Sequence, residues 1–247
     1  MISRNEVKYI QSLTHQKGRK ETSNFLAEGV KLIDELLNTC PNHIEMIYAL
    51  EGYIKKVADT HKGVLYKEIS EEELNRISQL QTPNQAVAVV RQFSVTLPEK
   101  DYKGWLIGLD GIQDPGNMGT IIRLADWFGV KHILCTLDSA DVYNTKVVQA
   151  SMGSIARVAV HTVDLREWLN NYKGSVIGTL LSGTPLHQFS FPGYGMIVIG
   201  REGSGIRDEI QPFIQQQVSI PSFGQAESLN AGVATGIVLW ELMRGAH

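Results

Sequence analysis

The chain has 247 residues, 43% of them apolar and 20% charged, and a formal net charge of −3. This length accommodates one large domain or two small ones, and the composition excludes the disordered and fibrous classes. An acidic chain has no general attraction for nucleic acid, so any RNA-binding role has to rest on local patches. No apolar run approaches the length of a membrane span. The first residues, Met1-Ile-Ser-Arg-Asn-Glu6, are polar and lack the apolar stretch of a signal peptide. Cys40 and Cys135 stand apart with no CxxC or Cys/His spacing, so they read as reduced, mostly buried thiols. These features predict a cytoplasmic protein with neither a membrane nor a metal as partner.

In chain order, Val7, Ile10 and Leu13 recur at helical spacing behind Ser3, which predicts a helix over 2–13. His15-Gln-Lys-Gly-Arg-Lys20 follows as a basic loop around Gly18, and Arg4 and Lys8 extend its charge, opposed only by Glu6. Such a run is either a solvated face or a surface that meets phosphate. The pattern then predicts a strand at 25–29, a helix at 30–38, a strand at 43–50, a helix near 53–60 and a strand at 64–68. Ser70-Glu-Glu-Glu73 is a capping box before a helix that reaches about Leu80. A β-rich run at 86–93 closes a small α/β/α domain over 1–93. Residues 94–103 are polar, carry Pro98 and read as a linker. The second domain, 104–247, opens on a buried-strand run at 105–109.

Several strand ends in this second domain lead into loops of small residues. The first loop, Asp110-Gly-Ile-Gln-Asp-Pro-Gly-Asn-Met-Gly119, feeds a helix predicted over 120–128 and stopped by Gly129. Its glycines let backbone approach a ligand closely, and Asn117 lies near the helix start. Arg123 then falls in the first turn, where a cation opposes the helix dipole, which implies a bound anion, an acidic partner or a structural salt bridge. The second loop ends the strand Met196-Ile-Val-Ile in Gly200-Arg-Glu-Gly-Ser-Gly205, which is neither GxGxxG nor a Walker A loop. Glu202 inside it disfavours a phosphate cradle, and a tight turn with Glu202 facing solvent competes with any functional reading. The third loop, Ile220-Pro-Ser-Phe-Gly-Gln-Ala-Glu-Ser-Leu-Asn230, opens the last helix, where Leu229, Val233, Ile237 and Trp240 share one face. Ser228 sits where an N-cap would be, so capping and ligand binding both stay open there. A strand at 176–180 likewise runs into Ser182-Gly183. Polar loops at strand carboxyl ends that feed helix N-termini are where open α/β sheets hold ligands.

Asn117-x-Gly-x-x-x-Arg123, then Gly200-x-Glu-Gly203, then Ile220-Pro-x-x-Gly with Ser228-Leu-Asn230 match, in order, the three motifs of the SpoU (TrmH-like) branch of the SPOUT methyltransferases. From about Trp105 onward the chain resembles that family. Arg19 followed by Phe25-Leu-Ala-Glu-Gly29 is similar to the family's N-terminal RNA-substrate-binding domain. The resemblance implies an α/β trefoil-knotted methyltransferase domain with a mostly parallel sheet, a homodimer, and S-adenosylmethionine held in the knot. The reaction it implies is methyl transfer to a ribose 2′-hydroxyl of structured RNA. Of the RNAs, 23S ribosomal RNA is favoured, because an added N-terminal module can grip a large folded target.

The same resemblance implies that Arg123 activates the 2′-hydroxyl, while Asn117, Glu202, Ser228 and Asn230 orient Arg123 and the substrate. Backbone near Leu180, Gly183, Ile199, Gly200, Gly203, Ile220 and Leu229 would hold the methyl donor. Arg4, Lys17, Arg19 and Lys20 are the RNA-binding candidates. Arg201 stands where relatives often carry Asn, and Ala231-Gly232 where Val-Ser is common. An arginine stays protonated throughout the working range, so Arg123 is expected to stabilise a developing alkoxide or clamp a phosphate rather than act as a simple base. The competing readings are a tRNA 2′-O-methyltransferase, a SPOUT enzyme that acts on a base, and a non-catalytic RNA-binding or ribosome-associated factor on the same fold.

Overall fold

A computed structural model describes residues 1–201 and 203–244. Its first element starts at a reciprocal cap. Ser3 Oγ accepts from the Glu6 amide at 3.2 Å, and the Glu6 carboxylate accepts from the Ser3 amide at 2.9 Å, satisfying two open donors at the start of α1 (Arg4–Ser12). The basic stretch expected as a loop is largely helical instead, as α2 (Gln16–Thr22). Gly18 makes this possible: it packs so closely on α1 that an added Cβ would stand 2.2 Å from the Ser12 carbonyl oxygen. Then follow β1 (Asn24–Glu28), α3 (Val30–Thr39), β2 (Ile44–Ala49), α4 (Glu51–Val57), β3 (Tyr66–Glu68), α5 (Glu71–Ile77) and β4 (Ala86–Arg91). α5 stops short of Leu80 because the Ser78 hydroxyl and the Gln79 amide turn to the buried Glu28 carboxylate, at 2.6 Å and 2.9 Å. The sheet runs β1-β4-β2-β3, with β4 antiparallel to both neighbours. Ile10 from α1 and Leu13 at its C-cap, Ile77 from α5, and Leu26, Val87 and Val89 from the sheet meet in its core.

Further along lie β5 (Trp105–Leu109), α6 (Pro115–Trp127), β6 (His132–Thr136), α7 (Thr145–Ser151), β7 (Ala159–Val163) and α8 (Leu165–Leu169). They are followed by β8 (Ser175–Pro185), β9 (Gly195–Ile199), β10 (Gln216–Ser219) and α9 (Ala231–Arg244). Six of these strands form one sheet in the order β10-β8-β9-β5-β6-β7, and every pairing in it is parallel. A parallel sheet buries both faces, and β9 is buried at every position. Leu106, Leu134, Met196 and Val198 from the strands pack with Leu165 of α8 and with Ile206. Among the described residues no helix is long and apolar enough to cross a membrane.

Contacts divide the chain into two units: Met1–Ser94 with Asp141–Ala156, and Val95–Ala140 with the described part of Arg157–His247. The first unit is therefore discontinuous, and α7, which sequence order places within 104–247, packs on β1. The Tyr143 ring lies against Phe25 with centroids 4.9 Å apart. Asp141 meets Arg19, which is 3% exposed. The Arg19 guanidinium donates to the carbonyls of Leu13 and Thr14 at 2.8 Å and 2.9 Å, and to the Asp141 carboxylate at 2.8 Å. A buried guanidinium needs such partners. Arg19, expected to face RNA, is an interior structural residue instead.

The Lys67 ammonium lies 2.7 Å and 2.8 Å from the two Glu6 oxygens. Its hydrogen bond, followed by that of the Ser3 amide, holds the Glu6 carboxyl down to about 2 from an ordinary 4.5. A depressed carboxyl contributes stability that is present above its unfolded pKa and lost as pH falls through its folded pKa. Stability against urea is therefore expected to decline between pH 4.5 and about 2, and Glu6→Gln to flatten that decline. An acid limb unchanged by the substitution would show that the pair contributes nothing.

Candidate active site

The second unit's strand order reverses beside β5, with β6 and β7 on one side and β9, β8 and β10 on the other. Loops leaving the carboxyl ends of strands at such a switch point diverge and leave a crevice. Here the diverging loops follow β5 and β9. A cavity of about 180 Å³ lies between them, lined by Gly111, Ile112, Gln113, Asp114, Asn117, Arg201 and Ala231.

The loop after β5 takes its shape from a cap. Asp114 Oδ1 accepts from the Asn117 amide at 2.7 Å, and Pro115 occupies the first helical position, where its missing N–H costs nothing. α6 therefore starts at Pro115, ahead of the expected Thr120. Asn117 lies in its first turn, 7% exposed, and Arg123 about two turns in, on the exposed face. The expectation that Arg123 opposes the helix dipole is thereby corrected, since the dipole acts within the first turn. Among the described residues Arg123 makes no ion pair, so its charge is available at the surface.

The loop after β9 is a closed turn. Arg201 and Gly205 exchange both backbone hydrogen bonds at 3.0 Å. A Cβ on Gly200 would stand 2.2 Å from the Gly205 carbonyl carbon, so only glycine lets the turn close. Glu202, expected to orient the substrate, lies outside the described residues.

Alternating charges tie these loops together. Asp110, with 0% exposure, accepts from the Arg207 amide at 2.7 Å and from Arg207 Nε at 2.6 Å. Arg207 also reaches Asp138 at 3.4 Å, and Asp138 in turn pairs with Arg201. The Arg201 guanidinium covers Gly111, where an added Cβ would stand 2.2 Å from Nε. Asp110, Asp138 and Arg207 belong to none of the motifs read from sequence. The one available signal was a carboxylate directly following the buried strand β5, where an unpaired charge would be costly.

After β10 the chain reaches α9, and Asn230 rather than Ser228 caps that helix. Asn230 Oδ1 accepts from the amides of Gly232 and Val233 at 3.0 Å and 3.2 Å. Ser228 and Leu229 are exposed, while Leu180 and Ile220 are half-buried. Gly183 passes so close to β10 that an added Cβ would stand 2.5 Å from the Val218 carbonyl carbon, and its own carbonyl accepts from Ser219 Oγ at 2.7 Å. The Ile199 carbonyl is engaged by the Asp110 amide at 2.9 Å. Leu180, Ile220 and Leu229 offer partly or fully exposed apolar side chains, and Gly183, Gly200 and Gly203 bare backbone, groups suited to a ligand with a flat ring and a polar tail, as S-adenosylmethionine has. Thus Asn117, Arg201 and Ala231 share one cavity, and the expected donor-binding positions lie within β8, at the end of β9 and after it, and after β10. Of the RNA-binding candidates, Arg4, Lys17 and Lys20 are exposed on the first unit, with Lys17 Nζ 3.9 Å from Glu21.

Residues 104–240 match the family described as the SpoU rRNA Methylase family, and residues 4–88 match the MRM3-like substrate binding domain. The 23S rRNA (guanosine(2553)-2′-O)-methyltransferase RlmP of Bacillus subtilis is 29% identical over 243 residues, which cover 96% of this chain and 95% of that protein. The crystal structure of an rRNA methyltransferase from Sinorhizobium meliloti with AdoMet bound superposes with a TM-score of 0.86 at 29% identity, over 99% of this chain and 96% of that one. A TrmH-family protein of Porphyromonas gingivalis is 35% identical over 98% of both chains, with a TM-score of 0.85.

Asp110→Ala leaves the Arg207 guanidinium without its buried partner. The substitution is expected to lower the unfolding free energy by about 2–3 kcal/mol, somewhat below a fully buried pair because Arg207 is partly exposed. Urea denaturation reads the loss, and wild-type stability in the variant would remove this pair from the account of the site.

Proposed function

The chain belongs to the SpoU rRNA methylase family, and from that premise we propose that it methylates a ribose 2′-hydroxyl of 23S ribosomal RNA with S-adenosylmethionine as donor. The observation that supports this reading is the cavity at the switch point, lined by Asn117, Arg201 and Ala231, with Arg123 on the helix that leads from it. Similarity to RlmP along nearly the whole chain favours ribosomal RNA, as does the N-terminal match to a substrate binding domain.

S-adenosylmethionine, when bound, supplies a methyl group on a sulfonium that is already a strong electrophile. The protein is left with in-line positioning and with the proton of the 2′-hydroxyl, a weak acid. Arg123 stabilises the developing alkoxide electrostatically and holds an RNA phosphate that takes the proton. Asn117, Asn230, Ser228 and Glu202 orient Arg123 and the ribose. Backbone at Gly183, Gly200 and Gly203, with Leu180, Ile220 and Leu229, encloses the donor. Arg4, Lys17 and Lys20 meet RNA from the first unit.

The reading extends to assembly, topology and compartment. Val233, Ile237 and Trp240 of α9 are 53%, 38% and 61% exposed, and Trp127 of α6 is 82% exposed. α6 and α9 pack on each other, so this apolar surface is one that a second copy of the chain would cover. Membership of this family favours a trefoil knot, a rare exception to unknotted chains. Cys135 is buried and its thiol pushed up to about 11 by that burial, which suits the reducing cytoplasm where ribosomes are modified.

Labelled S-adenosylmethionine incubated with unmodified 23S rRNA and with tRNA is expected to label the ribosomal pool, in alkali-resistant dinucleotides. Arg123→Ala is expected to lose about 100-fold or more in rate with donor affinity unchanged by calorimetry. Label in ordinary mononucleotides, or loss of donor affinity in the variant, would overturn the mechanism. Ile237→Glu with Trp240→Glu is expected to convert a species of twice 27.4 kDa into a monomer in equilibrium sedimentation. A wild-type monomer would end the dimer proposal.

A further inference from the structure

The first unit carries a second cavity, of about 400 Å³, lined by Arg4, Val7, Lys8, Gln11 and Arg76. It is a groove between α1 and α5. Gln11 pins the two helices together, its side-chain amide donating to the Arg76 carbonyl at 3.1 Å. Buried Val7 lies between the cations, while Arg4, Lys8 and Arg76 are exposed.

The charges in this groove are unfavourable for the protein alone. Arg4 is the first residue of α1, where the positive end of the helix dipole disfavours a cation. Lys8 stands four residues on, directly above it on the same helix face, where like charges repel. Among the described residues none of Arg4, Lys8 and Arg76 makes an ion pair, and Arg76 acts on the Glu73 carboxylate only through its charge. The nearby acids are spent elsewhere. Glu6 is committed to Lys67 and the Ser3 amide, and Glu73 accepts from the amides of Ile2 at 2.7 Å and Ser70 at 3.0 Å. Glu72, four residues before Arg76, is exposed and does not pair with it. Three cations without an ion pair on one groove of a chain with net charge −3 mark a local anion site, not a generally basic surface.

We propose that the α1–α5 groove binds the phosphate backbone of the RNA substrate. This rests on the reading that the substrate is RNA, and it adds Lys8, Gln11 and Arg76 to the contact surface. The lining has no aromatic side chain on which a base could stack, so the groove grips backbone and positions the RNA without reading its sequence. Binding here releases counterions, and each phosphate neutralised adds about 0.7–0.9 to the slope of log affinity against log salt.

The test replaces Arg4, Lys8 and Arg76 together by Gln, and separately by Glu, in the full chain. Circular dichroism and urea denaturation verify that each variant folds. Fluorescence anisotropy with a 23S rRNA fragment reads binding independently of methyl transfer. The Gln variant is expected to bind at least about tenfold more weakly and to lose about 2 from its salt slope, and the Glu variant to lose more affinity still. Donor affinity and kcat stay unchanged while KM for RNA rises. Lys31→Glu with Lys62→Glu, at exposed sites outside the groove, controls for net charge. Wild-type affinity and slope in folded Gln and Glu variants would overturn the proposal, as would an equal loss in the control. So would unchanged RNA binding alongside weakened binding of an acidic protein. A wild type that binds the fragment but methylates no RNA would refute the proposed reaction and leave the groove standing.

Discussion

A carboxylate removed from water must find a compensating charge, and Asp110 is wholly removed. Its match with Arg207 sets where the chain can go after β9, because the bond uses the Arg207 backbone amide as well as the side chain. Arg207 and Arg201 then share Asp138 from the loop after β6, and Arg201 closes over Gly111. The loops after three neighbouring strands are therefore mutually determined. A site assembled this way keeps its shape without regular secondary structure, which loops carrying reactive groups otherwise lack. It also explains how an arginine is accommodated at position 201: Asp138 receives it.

Close approach of backbone is the second constraint. Gly232 lies against Thr120 of α6 and Gly236 against Leu124, where added Cβ atoms would meet side chains at 3.1 Å and 3.5 Å. The tighter of the two, at Gly232, lets α9 lie close on α6, while the distance at Gly236 is an ordinary contact. The helix then has two apolar faces, one spent on its own unit through Val238, Leu239 and Leu242, the other carrying Val233, Ile237 and Trp240 outward. A helix that is apolar all round is normally interior. In the single chain the second face of α9 is instead exposed.

Much of this was legible in the sequence. The strands of the first unit follow period and turn chemistry closely, and the three motifs lie at strand ends as expected. What was misread is local and has physical causes. One helix start was misread, α6 being capped by Asp114 ahead of the expected Thr120, and Ser228, left open between cap and ligand, is not the cap of α9, which is Asn230; more than one capping residue was available in each loop. Residues 15–20 read as a loop since Gly18 weakens a helix, yet that glycine is what allows α2 to pack against α1. Within 130–172 the helices α7 and α8 have only 7 and 5 residues, too few to make a helical period legible. The Asp110–Arg207 pair spans 97 residues and leaves no mark in any local pattern.

The discontinuity of the first unit has a consequence for how the protein is made. Arg19 finds its carboxylate at Asp141, 122 residues further along the chain, and Tyr143 completes the ring cluster around Phe25. During synthesis, an N-terminal unit that begins to fold as it leaves the ribosome exposes the seat of α7, and a buried-to-be guanidinium, until the whole of the second unit's first βαβ stretch has been translated. At ribosomal speeds of about 5–20 residues per second, that interval lasts on the order of ten seconds. The N-terminal piece cut after Ser94 is thus a different object from the same residues in the finished protein, lacking a helix, an ion pair and part of its core.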